Sequence, residues 1–406
     1  MQINLKQLIT FKMNLGFYYH VPVTLYKGVY YIESYFGVFL LELAEQCNHV
    51  YVFAHQKEED IHTLIPLNTN SITVISLGKF PSFYERMLNP QKFISIIKKH
   101  TQNLDAFMVR APTPLAPFIK FNIDKQIPVY YVLVGNYLNG LKSLKQPFIR
   151  KIGIYLFMYI YQWLQHKTIK DSTLFVNSIA LQQENQHLAK QIHVIKTTTL
   201  LKTSFYPRID TCQSQPFKIL YTGRINFQKG LRELVQAAAL LIHTNKLLCE
   251  IHIVGWQEKG TFNYEEGLQE LANQLNIGSN LFFHGKKSAG TELNTFYREA
   301  DIYVIPSYHE GFPRTIWEAM ANSLPVIASN VGGIPFYIKD GKEAILVEPK
   351  NVESLHNALK TLIENTPLRT SLIKNAYLVA KEVTLEKQCK NLTQLIKNDI
   401  ATNRNG

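Results

Sequence analysis

Twice along the chain, short apolar runs alternate with stretches whose apolar residues recur at helical spacing, and this alternation leaves few folds open. In the first half, runs 15–19, 50–54, 72–77, 106–109, 129–134 and 174–177 read as strands. Segment 36–46 reads as a helix, with Phe39, Leu40, Leu43 and Ala44 on one face. Strand and helix in turn predict a parallel sheet with crossover helices. The polar, Pro-bounded stretch 206–216 (YPRIDTCQSQP) predicts a linker, and the alternation then restarts. Strands are expected at 217–221, 251–254, 281–284, 302–305 and 326–328, and helices at 231–243, 264–275, 292–299 and 315–321. Two more helices, at 352–363 and 385–397, close the chain.

The expected fold class is α/β, with two Rossmann-like, doubly wound domains facing a central cleft. The first domain is 1–205, the linker 206–216 and the second domain 217–383; a helix and tail at 384–406 pack back on the first domain. Ligands of such sheets bind beyond the carboxyl ends of the strands. A chain of 406 residues, 46% hydrophobic and 18% charged, has the profile of two ordinary folded domains.

The formal net charge of +12 points to an anionic partner. No helix-turn-helix, zinc-finger or RNA-binding signature accompanies it, so no nucleic acid is expected. Cys47, Cys212, Cys249 and Cys389 form no C-x-x-C pair and read as isolated thiols of a reducing compartment. The N-terminus lacks the apolar core of a signal peptide, and no run reaches the ~20 apolar residues that span a bilayer. A cytoplasmic protein is expected, with membrane association on the cytoplasmic face as a further candidate property. That candidate rests on 142–170. Its centre, IGIYLFMYIYQWL at 152–164, is flanked by Lys142, Lys145, Arg150, Lys151, Lys167 and Lys170 with no acid between 142 and 170. Such a segment fits the headgroup zone of an anionic membrane, and fits equally a buried helix of the first domain.

Two motifs in the second half carry chemistry. In YTGRINFQKGLREL, Gly223 lets the backbone turn where a strand ends, and Arg224 and Lys229 supply the charge to neutralise a diphosphate. In SYHEGFPRTIWEAMANSLPVIASNVGG, Glu310 stands at a loop lip and Gly311 and Phe312 follow. Pro313 suits a first helical turn whose open N–H groups attract an anion. Glu318, about one turn into that helix, offers two oxygens to a vicinal diol such as a ribose. Gly332 and Gly333 then expose bare backbone toward the same crevice.

The order and spacing of G-R-x4-K-G, E-G-F, E-x7-E and P-V-I-A-S-x-x-G-G between about 220 and 347 resemble family 4 of the retaining GT-B glycosyltransferases. That resemblance implies that Arg224 and Lys229 hold the diphosphate of a nucleotide sugar, and that Glu318 holds its ribose. It implies that Glu310 contacts the sugar near the reacting centre while Gly311 and Phe312 help cradle it. It implies no cofactor and no metal, and the chain carries no D-x-D. The acceptor is expected to be a saccharide or lipid-linked saccharide, in bacterial surface polysaccharide synthesis. In the first half the resemblance is weak: His20, Gly28 and Asn136 are the candidate contacts there, and Phe336 and Tyr337 stand where the family often has an acid. Two other functions compete, a GT-B epimerase or hydrolase of the nucleotide sugar and a non-catalytic donor-binding subunit.

Overall fold

The computed structural model describes residues 12–135, 148–257 and 263–405. It divides into two compact units, Met1–Lys196 with Gln388–Gly406, and Thr197–Lys387. The first contains strands β1 (Asn14–Tyr18), β2 (Thr24–Tyr26), β3 (Val29–Glu33), β4 (His49–Gln56), β5 (Leu64–Pro66), β6 (Ile72–Lys79), β7 (Ala106–Ala111), β8 (Val129–Leu133), β9 (Thr173–Val176) and β10 (Gln191–Val194). Seven of these form a parallel sheet in the order β10-β9-β8-β7-β1-β4-β6. The second unit contains β11 (Phe217–Arg224), β12 (Cys249–Trp256), β13 (Leu281–Phe283), β14 (Ile302–Ile305), β15 (Val326–Ser329) and β16 (Ile345–Val347), all parallel, in the order β13-β12-β11-β14-β15-β16.

Both sheets are wound the same way. In each, the first strand of the unit lies inside the sheet, with the next strands of the winding on one side and later ones on the other. The order reverses between β1 and β7, and again between β11 and β14. Loops leaving the carboxyl ends of two strands diverge at such a point and open a crevice. The expected Rossmann-like architecture is therefore present in both units. β14 and β15 are buried along their whole length, which is why their sequences are runs of apolar residues and not alternations.

Beyond the alternation lies a small antiparallel sheet, β2-β3-β5. Its hairpin turns at Lys27 and Gly28, both at positive φ, 48° and 78°. Gly28, read as a candidate contact, is thus a hairpin-turn residue.

The stretch 206–216 is built into the second unit, and the division falls at 196/197 and 387/388. Its polar residues are anchors. The Arg208 guanidinium donates to the carbonyls of Arg298 (3.0 Å), Ala300 (2.9 Å), Tyr297 (3.1 Å) and Asn322 (2.9 Å). Asp210 receives a two-pronged ion pair from Arg369, at 2.6 and 2.8 Å, and Arg369 also donates to the Leu362 and Ile363 carbonyls. The closing helix, Leu385–Asn405, belongs to the first unit from Gln388 onward, where the Tyr130 hydroxyl donates to Asp399 at 2.9 Å.

Arg369 is 2% exposed. Arg369→Ala leaves Asp210 and two carbonyls without their donor and is expected to cost about 3 kcal/mol in the second unit. Denaturant unfolding measures this; a loss below about 0.5 kcal/mol, as at an exposed pair, would show that the stretch is not held by this bridge.

Candidate functional site

The crevice of the second unit is built where β11 and β14 end side by side. β11 ends at Gly223 and Arg224, and a 3-10 turn, Phe227–Lys229, follows, capped by the Asn226 side chain on the Gln228 N–H (3.0 Å). Gly230 then has φ 64°, and a β-carbon there would lie 2.0 Å from the Pro306 carbonyl oxygen. Only glycine lets the loop after β11 approach the loop after β14 this closely. The Tyr308 N–H donates to the Gln228 carbonyl (2.8 Å), and its hydroxyl donates to both Glu233 oxygens (2.6 and 2.8 Å).

Across this contact the Lys229 ammonium meets Glu310 Oε1 at 2.5 Å, with side chains only 15% and 11% exposed. The Ser307 hydroxyl donates to the same oxygen at 2.7 Å. Behind Glu310 lies the Gly332–Gly333 loop. A β-carbon on Gly332 would stand 1.7 Å from the Glu310 carbonyl oxygen, and one on Gly333 2.2 Å from that of Gly311. The Gly333 N–H donates to the Gly311 carbonyl at 2.6 Å. Phe312 turns inward, stacked on Trp317 at 4.5 Å with its edge toward Tyr337.

Glu318 lies in the helix Thr315–Ala321, and both carboxylate oxygens already accept protein hydrogen bonds. Thr199 donates to Oε1 at 2.5 Å and Tyr297 to Oε2 at 2.9 Å. Tyr297 is fully buried and its hydroxyl also meets Thr222 at 2.7 Å, which links the helix to β11. Burial first, and Glu318 second, hold the Tyr297 hydroxyl well above its usual range, so it stays protonated as a donor. An ionised carboxylate has about four lone-pair sites, so each oxygen keeps capacity for one further donor.

The structure thus brings together Lys229, Glu310, Gly311, Gly332 and Gly333. Gly223 lies opposite Gly255 at the end of β11, and Arg224 is exposed with its carbonyl accepting from the Tyr221 hydroxyl at 2.7 Å. Pro313 departs from expectation. The helix begins at Thr315, and Pro313 only offers its carbonyl to the Ile316 N–H (3.2 Å) because the turn entering the helix opens there. In the first unit His20 stands two residues beyond β1. Asn136 lies outside the described residues.

Sequence reasoning missed Ser307, Thr199 and Tyr297. Ser307, three residues before Glu310, was within reach of a spacing argument; Thr199 and Tyr297 are 119 and 21 residues from Glu318 and left no local signal. Among the described residues, no group of three or more His, Cys, Asp or Glu is placed to hold a metal ion.

Gly332 is at φ 56°. Gly332→Ala adds both backbone strain and a clash with the Glu310 carbonyl, and is expected to destabilise the second unit by roughly 1–3 kcal/mol. A thermal midpoint unchanged from the parent protein would mean that the two loops separate freely.

Residues 205–379 match the family described as Glycosyl transferases group 1. An uncharacterized glycosyltransferase of Methanocaldococcus jannaschii is 32% identical over 160 residues, 39% of this chain and 38% of that protein. A D-inositol 3-phosphate glycosyltransferase of Corynebacterium jeikeium is 33% identical over 162 residues, 39% and 38% of the two chains. The chain therefore spans about two fifths of the length of these curated relatives. The fold likeness extends further. Sucrose-phosphate synthase from Thermosynechococcus elongatus superposes with a TM-score of 0.71 at 19% identity, over 96% of this chain and 100% of that one. HepE of Anabaena, solved with UDP and glucose, superposes with a TM-score of 0.70 at 16% identity, over 95% and 100%. Residues 205–379, within the second unit, thus resemble that family in sequence, and the chain shares the GT-B fold of these solved structures.

Proposed function

We propose that the chain is a retaining glycosyltransferase that moves a sugar from a nucleotide diphosphate sugar to a saccharide or lipid-linked saccharide, in bacterial surface polysaccharide synthesis. The observation that carries this reading is the Lys229–Glu310 pair, shielded by the Gly332–Gly333 loop at the carboxyl ends of β11 and β14. Lys229 turns from Glu310 to the diphosphate, and Arg224, at the open end of β11, supplies the second cation. Glu310, released from the lysine, faces the donor sugar, with the backbone of Gly311 and Phe312 beside it. Glu318, fixed by Thr199 and Tyr297, accepts the ribose hydroxyls with its remaining lone pairs. The bond from the sugar to the diphosphate breaks through an oxocarbenium-like state, and the two cations stabilise the charge growing on the leaving group. The acceptor hydroxyl attacks from the face the diphosphate leaves, and a diphosphate oxygen takes its proton. The anomeric configuration is kept, with no protein base and no metal in the reaction.

Peripheral binding to the cytoplasmic face of an anionic membrane is part of the same proposal. The helix Phe148–Ile169 was open to burial on the sequence, yet one face is exposed: Ile152, Leu156, Tyr159, Ile160 and Trp163 are each 48–67% exposed. Tyr84 and Leu88 extend the patch from the helix Phe83–Leu88, with Tyr84 against Phe157 at 5.1 Å. Arg150, Lys151, Lys167 and Lys170 flank it, with Lys167 over the Trp163 ring at 3.7 Å. Lys142 and Lys145 fall outside the described residues. No described helix is long and apolar enough to cross a membrane. An apolar stripe between cations matches the acyl boundary beneath anionic headgroups.

Lys229→Ala and Arg224→Ala are each expected to lower sugar transfer about a hundredfold or more. Proton NMR of the product is expected to show the anomeric configuration of the donor. Full turnover in both variants, or an inverted product, would overturn the mechanism; sugar conversion without acceptor would mark an epimerase or hydrolase instead. For the membrane, the protein is expected to pellet with phosphatidylglycerol vesicles and not with phosphatidylcholine vesicles. The Leu156→Glu/Trp163→Glu variant is expected to stay in the supernatant, and equal pelleting of variant and parent would remove the helix from the contact.

A further inference from the structure

The first unit has its own switch point, between β1 and β7, and its crevice is chemically unlike that of the second. The register sets Tyr18 beside Phe53 on β4 and Val109 on β7. His20, His55 and Arg110 therefore leave three neighbouring strands at the same carboxyl edge. Arg86, from the helix Phe83–Leu88, lies close enough to act on the Tyr18 hydroxyl and on both imidazoles.

Two of these groups are almost wholly enclosed: Arg86 is 4% exposed and His55 1%. Arg86 Nη1, both ring nitrogens of His55 and Nδ1 of His20 are buried with no hydrogen-bond partner among the described residues. The Leu77 backbone nears His55 without an aligned bond. Arg86 Nε makes a long bond to the Ser82 carbonyl, at 3.4 Å, the guanidinium also reaches the Tyr18 hydroxyl, and the Phe80 ring lies 4.7 Å away, so its partners among the described residues are neutral. Among the described residues, the charged side chains acting on the two imidazoles are cations: Arg86 on both, Arg110 on His20 and Lys92 on His55. A buried guanidinium with no anion is strongly unfavourable, and so is a buried polar nitrogen with no partner. A ligand that carries negative charge and several acceptor oxygens removes both penalties at once.

We propose that Arg86, His20 and His55 form an anion subsite of the first unit that holds a phosphoryl group carried by the acceptor. This rests on reading the chain as a glycosyltransferase. The three donors come from three separate elements, a convergence that suits a tetrahedral oxyanion more than a planar carboxylate. Burial, and then Arg86, hold the His20 imidazole down to about 4 and that of His55 down to about 3. Both rings are therefore neutral at pH 7 and act as N–H donors, and the fixed charge is that of the guanidinium.

The test follows the side-chain nitrogens of His20 and His55 by NMR in histidine-labelled full-length protein. The titrants are methyl phosphate, inorganic phosphate, acetate and uncharged glucose. Methyl phosphate is expected to shift both residues saturably in the millimolar range, inorganic phosphate no more tightly, and acetate and glucose to leave them unmoved. Arg86→Met is expected to abolish the shift, or weaken binding more than tenfold, without lowering the thermal midpoint of the ligand-free protein, because it removes an unpaired buried charge. Overturning results are no shift with methyl phosphate, tighter binding of acetate, binding of inorganic phosphate alone, or a variant that still responds. If the variant fails to fold, the stability argument falls and the parent titration alone decides the site. Nucleoside diphosphate binding to the second unit, measured by calorimetry, is independent: its failure would remove the donor site and leave a first-unit phosphate response standing.

Discussion

At two places in the second unit, stretches of backbone run too close together for any side chain to lie between them. Gly332 and Gly333 press on the carbonyls of Glu310 and Gly311, and Gly230 presses on that of Pro306. Three loops, after β11, β14 and β15, are thereby held against one another by direct main-chain contact. The consequence is electrostatic. Lys229 and Glu310, 81 residues apart, come within 2.5 Å in a place where each side chain is largely shielded from water. A looser packing would admit solvent, and the pair would be worth no more than an exposed ion pair. Pre-organised charge in a shielded crevice is what a departing diphosphate requires.

The sheets were legible because parallel strands buried on both faces must be apolar runs. The strand Ile302–Ile305 and the helix Thr315–Ala321 have the bounds that pattern predicted. The rest failed for identifiable reasons. The stretch 206–216 is polar, and polarity reads as exposure, yet Arg208 and Asp210 use their charge to grip backbone carbonyls and Arg369. The hairpin of β2 and β3 has three and five residues, too few for a period to emerge. Apolar content could not say which face of Phe148–Ile169 is covered: Tyr161 and Ile169 are buried while Leu156 and Tyr159 are not. In the candidate site, the glycines and charges stood in local motifs, but the groups orienting Glu318 came from distant segments.

Glu318 illustrates how orientation precedes binding. With Tyr297 and Thr199 each occupying one oxygen, the carboxylate plane is set before any ligand arrives. Tyr297 is in turn fixed by Thr222 on β11, the strand that carries Arg224. A helix side chain and a strand end are so tied through one buried hydroxyl. In the proposed reading, the ribose end and the phosphate end of the donor are held at a set separation by this link.

One topology, used twice, handles charge in two opposite ways. In the second unit the shielded cation has a carboxylate beside it, so an incoming anion exchanges one partner for another and the lysine is never left alone. In the first unit the charged groups acting on the imidazoles are cations, and burial first, with that repulsion second, keeps both histidines neutral. A guanidinium has no such escape, since it does not deprotonate in a protein. A buried lysine at that position would release its proton and settle neutral. Among the described residues no carboxylate is paired with Arg86, and a buried charge kept in that way, beside the strand edge where this fold places ligands, is the strongest physical reason to look for an anion there.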